Sequence, residues 1–174
     1  MSAPPRYIVG SGWWCPGQQE QRHAHGDACI RSADFHRLWY QAVDTFTRPE
    51  RILIVDNASP VQPPLHAEDR RIEHLTLAHN AGHPTAHSGR HSGWTEAVLA
   101  GLAYTLCSDA DYFVFVEQDA LLFGEDIIEF CISRMRRPWM FGRSPGDCHP
   151  LQQSFFLVRR DGLAPLLAAV DRIP

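Results

Sequence analysis

The chain has no apolar run approaching the roughly 20 residues needed to cross a bilayer, so no integral membrane segment is expected. It has no C-x-x-C pair. Its five cysteines, Cys15, Cys29, Cys107, Cys131 and Cys148, are odd in number and scattered, which argues against a disulfide framework and for reduced thiols. Cys107 and Cys131 fall within helical patterns, where a thiol serves as a small apolar residue. Little net charge is present, −4 over 174 residues, so the basic footprint of a nucleic-acid or anionic-membrane binder is absent. There is no internal repeat and no low-complexity tract. The opening Met-Ser-Ala-Pro-Pro-Arg is polar and runs straight into a strand pattern, so no secretory leader is evident and a cytoplasmic location is expected. With 44% hydrophobic residues, the length and composition fit one domain, residues 1–174, with a real core.

What the chain does have is alternation. Short β-branched and aromatic runs, residues 6–10, 51–55, 72–77, 112–116, 139–141 and 154–158, read as strands. Between them lie helical patterns. Residues 35–46 place Phe35, Leu38, Trp39, Ala42, Val43 and Phe46 on one face behind an expected N-cap at Asp34. Helices are also expected over 93–106, 125–135 and 162–170. The polar stretch from Pro16 to Asp27 is the longest expected loop, and loops of that length are usually functional or mobile. Trp13 and Trp14 before it suit either stacking on a base or sugar ring or covering one edge of the core. Strands alternating with helices of this length imply an α/β fold: a single Rossmann-like domain with a mostly parallel sheet and helices on both faces.

Right-handed crossovers in such a sheet bring several strand ends to one rim, where ligands of open α/β sheets bind. Gly10 and Ser11, Asp56 and Asn57, and Glu117-Gln118-Asp119 are distant in sequence, yet all are expected on that rim. The last group follows Tyr112–Val116, the run with no polar interruption that marks a central strand. Glu117 and Asp119 are hard oxygen donors one residue apart. Such a pair suits Mg²⁺ or Mn²⁺ holding a diphosphate, or else is a solvated acidic turn.

The motifs on that rim resemble those of GT-A nucleotide-sugar glycosyltransferases, close to the family 2 group. Ile54-Val-Asp-Asn-Ala-Ser59 is similar to that family's V-D-x-x-S, Asn80-Ala-Gly82 to its N-x-G, and Gly89-Arg-His-Ser-Gly93 to its A-R-N-x-G at a helix start. Val114-Phe-Val-Glu-Gln-Asp119 resembles the strand leading into its D-x-D, with Glu117 where the family has its first aspartate. The resemblance runs from about residue 6 to 160. It implies a sugar transferred from a nucleotide diphosphate donor, a UDP-sugar above all, to a glycan, lipid or protein acceptor. It implies that Gly10, Ser11, Asp56, Asn57, Asn80, Arg90, Glu117 and Gln118 contact the donor. Asp56 would accept from a uracil imide or ribose hydroxyl, with an Asx-turn as its structural alternative. Arg90, near a helix N-terminus, would reach base or phosphate. Asp119 would be the chief ligand of Mn²⁺ or Mg²⁺, joined by Glu117 and by His149. Asp147 would be the base that deprotonates the acceptor hydroxyl. Family members usually extend further, so part of the acceptor site is expected beyond this sequence.

Three rivals remain in view. His79, His83, His87 and His91 recur every fourth residue and on a continuous helix would suit zinc, although Gly82, Pro84 and Gly89 oppose such a helix. A sugar-phosphate nucleotidylyltransferase would need a glycine-rich, basic loop after the first strand, and Gly10-Ser-Gly-Trp-Trp lacks it. A nucleotide-sugar-binding module without turnover would keep the cleft and tolerate Glu117 and the lack of an acidic pair between Pro145 and Asp161.

Overall fold

Apolar runs of period two and of no period become strands here, and the amphipathic runs become the helices that cover them. The structure, a computed structural model, describes residues 4–16, 28–144, 146 and 151–173. In chain order the elements are β1 (Tyr7–Trp13), α1 (Ala33–Phe46), β2 (Arg51–Asp56), β3 (Ile72–Thr76), β4 (Gly82–His83), β5 (Ala86–His87) and α2 (Gly93–Leu106). Then come β6 (Tyr112–Val116), α3 (Ile127–Arg134), β7 (Trp139–Arg143), β8 (Leu151–Arg159) and α4 (Arg160–Val170). A six-stranded sheet has the order β3-β2-β1-β6-β8-β7. The pairs β3–β2, β2–β1 and β1–β6 are parallel, while β8 runs antiparallel to both β6 and β7. The expected α/β domain with a mostly parallel sheet is therefore present.

Alternation along the central strands divides the core in two. Ile8, Leu53, Val55, Phe113, Phe115 and Val158 face α2 and α4, meeting Val98, Leu102 and Leu163. Tyr7, Val9, Ile52, Ile54, Val114 and Leu157 face the other way, meeting Trp39 and Val43 of α1 and Ile128 of α3. Both faces of the sheet thus carry helices, as the uninterrupted apolar strands require.

Local differences from the sequence reading have physical causes. The first strand continues past Gly10 to Trp13 because the missing side chain of Gly10 leaves room for the Phe113 ring; a Cβ there would lie 2.5 Å from Phe113 Cε2. Ser32, not Asp34, caps α1, its hydroxyl accepting from the Phe35 amide at 3.1 Å. Asp34 sits in the first turn and pairs with Arg37, where a negative charge favours the helix. The α3 helix starts at Ile127 rather than 125 because Gly124 (φ +119°) and Asp126 (φ 49°) hold left-handed backbone. The hairpin β4–β5 lies inside a stretch dense in turn residues, where two-residue strands leave no periodic signal.

Candidate functional site

Parallel pairing fixes which side chains share a level. Trp13 lies opposite Asp56, and Asp56 opposite Thr76. Gly10 lies opposite Phe115, and continuing that register carries Glu117 to the level of Gly12. The tip Glu117-Gln118-Asp119 therefore emerges beside the ends of β1 and β2, as the crossover rule required. The structure brings Asp56, Asn57, Glu117, Gln118 and Asp119 onto one rim. Gly10 and Ser11 fall short of it. They lie within β1, Ser11 is buried, and Gly10 serves the packing of Phe113.

Hydrogen bonds stitch the rim together. Gln118 grips Trp14 at two points, accepting from its amide at 2.7 Å and donating to its carbonyl at 3.0 Å. Ser59 holds Cys15 in the same way, its hydroxyl accepting from the amide at 2.8 Å and donating to the carbonyl at 2.9 Å. Asn57 accepts from the Ala81 amide at 2.8 Å and donates to Glu96 at 3.3 Å. Gly93 at the start of α2 accommodates it, since a Cβ there would lie 2.8 Å from Asn57 Nδ2. Asn80 accepts from the Gly82 amide at 3.0 Å, an Asx-type link that shapes its own turn. Asp56 is fully buried: one oxygen accepts from the Ser59 amide at 2.9 Å, and the other lies 3.4 Å from Gln62 Nε2. The local turn is thus made, and Gln62 lies over the second carboxylate oxygen. Trp13 is buried, donating to the Val61 carbonyl at 2.8 Å, so of the two readings for this residue it takes the edge of the core.

Burial, and next the charge of Asp119, push the Glu117 carboxyl above its usual range, against a hydrogen bond with Ser154 and the charge of Arg31. Asp119 faces Arg31, whose Nη2 lies 3.7 Å from its Oδ2. The donor set fits a small divalent cation: two hard carboxylates whose mutual repulsion a dication would relieve. Glu117 and Asp119 are the described residues that would hold it. Among the described residues no group of three or more His, Cys, Asp and Glu is arranged to hold a metal. Asp147 and His149 lie outside the described residues.

The helical stripe of histidines does not form. His83 meets Thr85 at 2.8 Å, His87 the Pro84 carbonyl at 3.4 Å, His79 Glu96 at 3.9 Å and His91 the Ile173 carbonyl at 2.8 Å. Arg90 extends to Asp171 beyond α4 at 2.8 Å. A separate cleft of about 370 Å³ opens between Pro4, Arg6, Glu50 and Glu129. Arg6 and Glu50 precede β1 and β2, which puts it at the opposite end of the sheet.

No family model and no curated protein matches the sequence. In three dimensions the chain matches a mannosyltransferase from Pyrobaculum calidifontis, solved in complex with GDP-Man and Mn²⁺, with a TM-score of 0.64. The fold is similar to that of a glycosyltransferase. Identity is 13%, and the match covers 95% of this chain but 47% of the mannosyltransferase, so the chain spans about half its length. No helix among the described residues is long and apolar enough to cross a membrane.

Sequence reasoning missed Arg31, Gln62 and Glu96. Arg31 carries no motif, and its only sequence signal is its place beside a helix start. Gln62 sits in a proline-rich connection that reads as spacer. Glu96 is an ordinary first-turn acid of α2 until Asn57 is known to lie against it.

Proposed function

We propose that this chain is the donor-binding domain of a divalent-metal-dependent glycosyltransferase that takes a sugar from a nucleotide diphosphate. The observation that carries the reading is the level at which the half-buried carboxylate tip emerges: next to the ends of β1 and β2, with the buried Asp56 and Asn57 alongside. The likeness of fold to a mannosyltransferase supports it.

In this reading Asp119, with Glu117, would hold Mn²⁺ or Mg²⁺, which would supply positive charge against the leaving diphosphate. Asp56 accepts from the base or ribose once Gln62 turns aside. That exchange is small, because the present contact is long for a hydrogen bond at 3.4 Å. Asn57 and Asn80 hold the floor of the site through the backbone of Ala81 and Gly82. Asp147 is the proposed base and His149 a proposed further ligand. The donor base is taken as uracil from Asp56, while GDP-Man in the fold neighbour makes guanine the main competitor. Two observations favour a second reading, a binding module without turnover: Gln62 lies over Asp56, and a guanidinium stands beside Asp119.

Melting temperature measured with UDP, GDP and dTDP, each with and without Mn²⁺, tests the proposal. A ligand at about 100 times its Kd adds about 2.7 kcal/mol to stability, so a rise of roughly 5–10 °C is expected for one diphosphate and only with Mn²⁺. Absence of any shift with all of them would overturn it. Release of the free nucleoside diphosphate from the matching sugar donor then separates transferase from module.

A further inference from the structure

Helix α3 covers the sheet with one side and leaves the other side bare. Ile128 is fully buried, and Ile127, Cys131 and Ile132 pack against the same core. The outward stripe is Asp126, Phe130 and Arg134, all exposed. The Phe130 amide donates to the Asp126 carbonyl at 2.8 Å, and the Arg134 guanidinium lies over the Phe130 ring, 5.2 Å from its centroid. Asp126 therefore sits one turn before Phe130, and Arg134 one turn after it. Phe130 is 56% exposed, and Phe123, which leans on Phe46 near the start of the stripe, is 85% exposed. Charge is divided along the same line. Glu125 and Asp126 precede the helix, whereas Arg134 ends it and Arg136 and Arg137 follow. None of these side chains has an ion-pair partner among the described residues. Arg48 and Glu50 line the cleft with Asp126, but Glu50 is held by Arg6, and Arg48 by carbonyls at the end of α1. Acid before a helix and base after it also suit the helix dipole, yet the dipole gives two phenylalanines no reason to stand in water.

We propose that this face of α3 is the contact between two copies of the chain, paired antiparallel about a two-fold axis at Phe130. Asp126 and Arg134 lie four residues to either side of that ring. A two-fold there sets Asp126 of each copy against Arg134 of the other, and ring against ring. Both ion pairs form together, and the antiparallel dipoles add to them. Phe123 then lies where Arg136 and Arg137 of the second copy arrive, and a guanidinium over an aromatic face is favourable. A parallel pairing would set acid against acid and base against base. The eight residues of α3 with their flanks bury less than the roughly 800 Å² per partner of a standard interface, so Kd is expected on the order of 10–100 μM. Both flanks lie away from the acidic tip. Asp126 lines the cleft with Arg6, and Pro138 meets Arg159, which is opposite Tyr112 at the start of β6. Pairing therefore leaves the rim at Asp56 and Asp119 clear.

Sedimentation equilibrium of the full chain, over a range of concentration and salt, tests the proposal. The wild type should dimerise in that range, and several-fold more weakly at about 0.5 M salt than at about 0.05 M. Phe130→Ser and Arg134→Glu should each weaken the dimer at least tenfold, with thermal unfolding of the monomer unchanged because both positions are exposed. Asp126→Lys should weaken it likewise. Mixing Asp126→Lys with Arg134→Glu should restore a heterodimer, since both contacts then join opposite charges. Side chains that serve only their own helix would show no such recovery. A wild type monomeric up to about 1 mM, ten times the expected ceiling, overturns the proposal. So does a dimer indifferent to Phe130→Ser, or a mixture that associates no better than its components. A monomeric wild type that instead sediments with phosphatidylserine vesicles would give the face to a membrane and overturn it equally.

Discussion

Asn57 shows how much a single rim side chain can hold. It accepts from the amide of Ala81, itself fully buried, and donates to Glu96. Replacing it by alanine leaves that buried N–H without a partner, which costs about 1–3 kcal/mol. Asn57→Ala is therefore expected to lower the unfolding free energy from urea denaturation by that amount and, on the proposed reading, to weaken nucleotide binding through the displaced 80–82 turn. Asn57→Asp retains the acceptor for Ala81 but sets a second carboxylate against Glu96, so calorimetry should show most of the stability kept only at high salt. Gly10 is a different kind of residue. The sequence reading placed it at the donor, whereas its lack of a side chain is used by the Phe113 ring. Gly10→Val should destabilise by about 1–3 kcal/mol through overpacking, read from denaturant curves. If the variant proves as stable as the wild type, the packing account of this glycine fails.

Among the elements, the junction ahead of α1 combines the most roles. Ser32 ends the turn, caps the helix and fixes the backbone from which Arg31 projects. Ser32→Ala should cost about 1 kcal/mol of stability. Thermal unfolding of the variant checks it. Here the sequence reading fell two residues away, at Asp34, because Asp and Ser are equally good caps on paper. The choice is made by which hydroxyl or carboxylate lies over the free amide, and the chain entering from the 3-10 turn decides that. The strands were more legible. The apolar run of β6 admitted one interpretation, and the carboxylates at its end lie on the rim that interpretation required.

At the scale of the molecule, the core under α1 carries a buried titratable ring that ties stability to pH. The core under α1 contains His36, buried between Trp13 and Trp39 with ring centroids at 4.9 and 5.3 Å and its Nδ1 unpaired. Burial, and secondarily the nearby His66, lower its pKa to about 4 from an ordinary 6.5. The folded-state value lies below the unfolded one. Between pH 6.5 and 4 the unfolded chain takes a proton that the native chain refuses. Stability from this group is therefore complete above pH 6.5, falls as pH drops, and levels near pH 4. The span is at most roughly 3 kcal/mol, taking 1.36 kcal/mol per pKa unit. His36→Phe, which keeps the ring, should remove that part of the slope, and unfolding free energies for both proteins from pH 4 to 7 would show it. Parallel slopes would mean that His36 is not neutral in the fold.

By itself the sequence determined the strands of the six-stranded sheet and the four helices, the mostly parallel character of that sheet, and the placing of two carboxylates at the tip of a central strand. These follow from apolar periodicity and from the sense of crossover connections, both of which operate within or between neighbouring segments. Only the tertiary structure decided that Arg31 meets Asp119, that Gln62 lies over Asp56, that Gly10 yields its space to Phe113, and that Arg90 belongs to Asp171. Each of those pairings joins parts of the chain that no local pattern relates. Side-chain reach across packed elements selects them, and that reach exists only once the sheet has set the register.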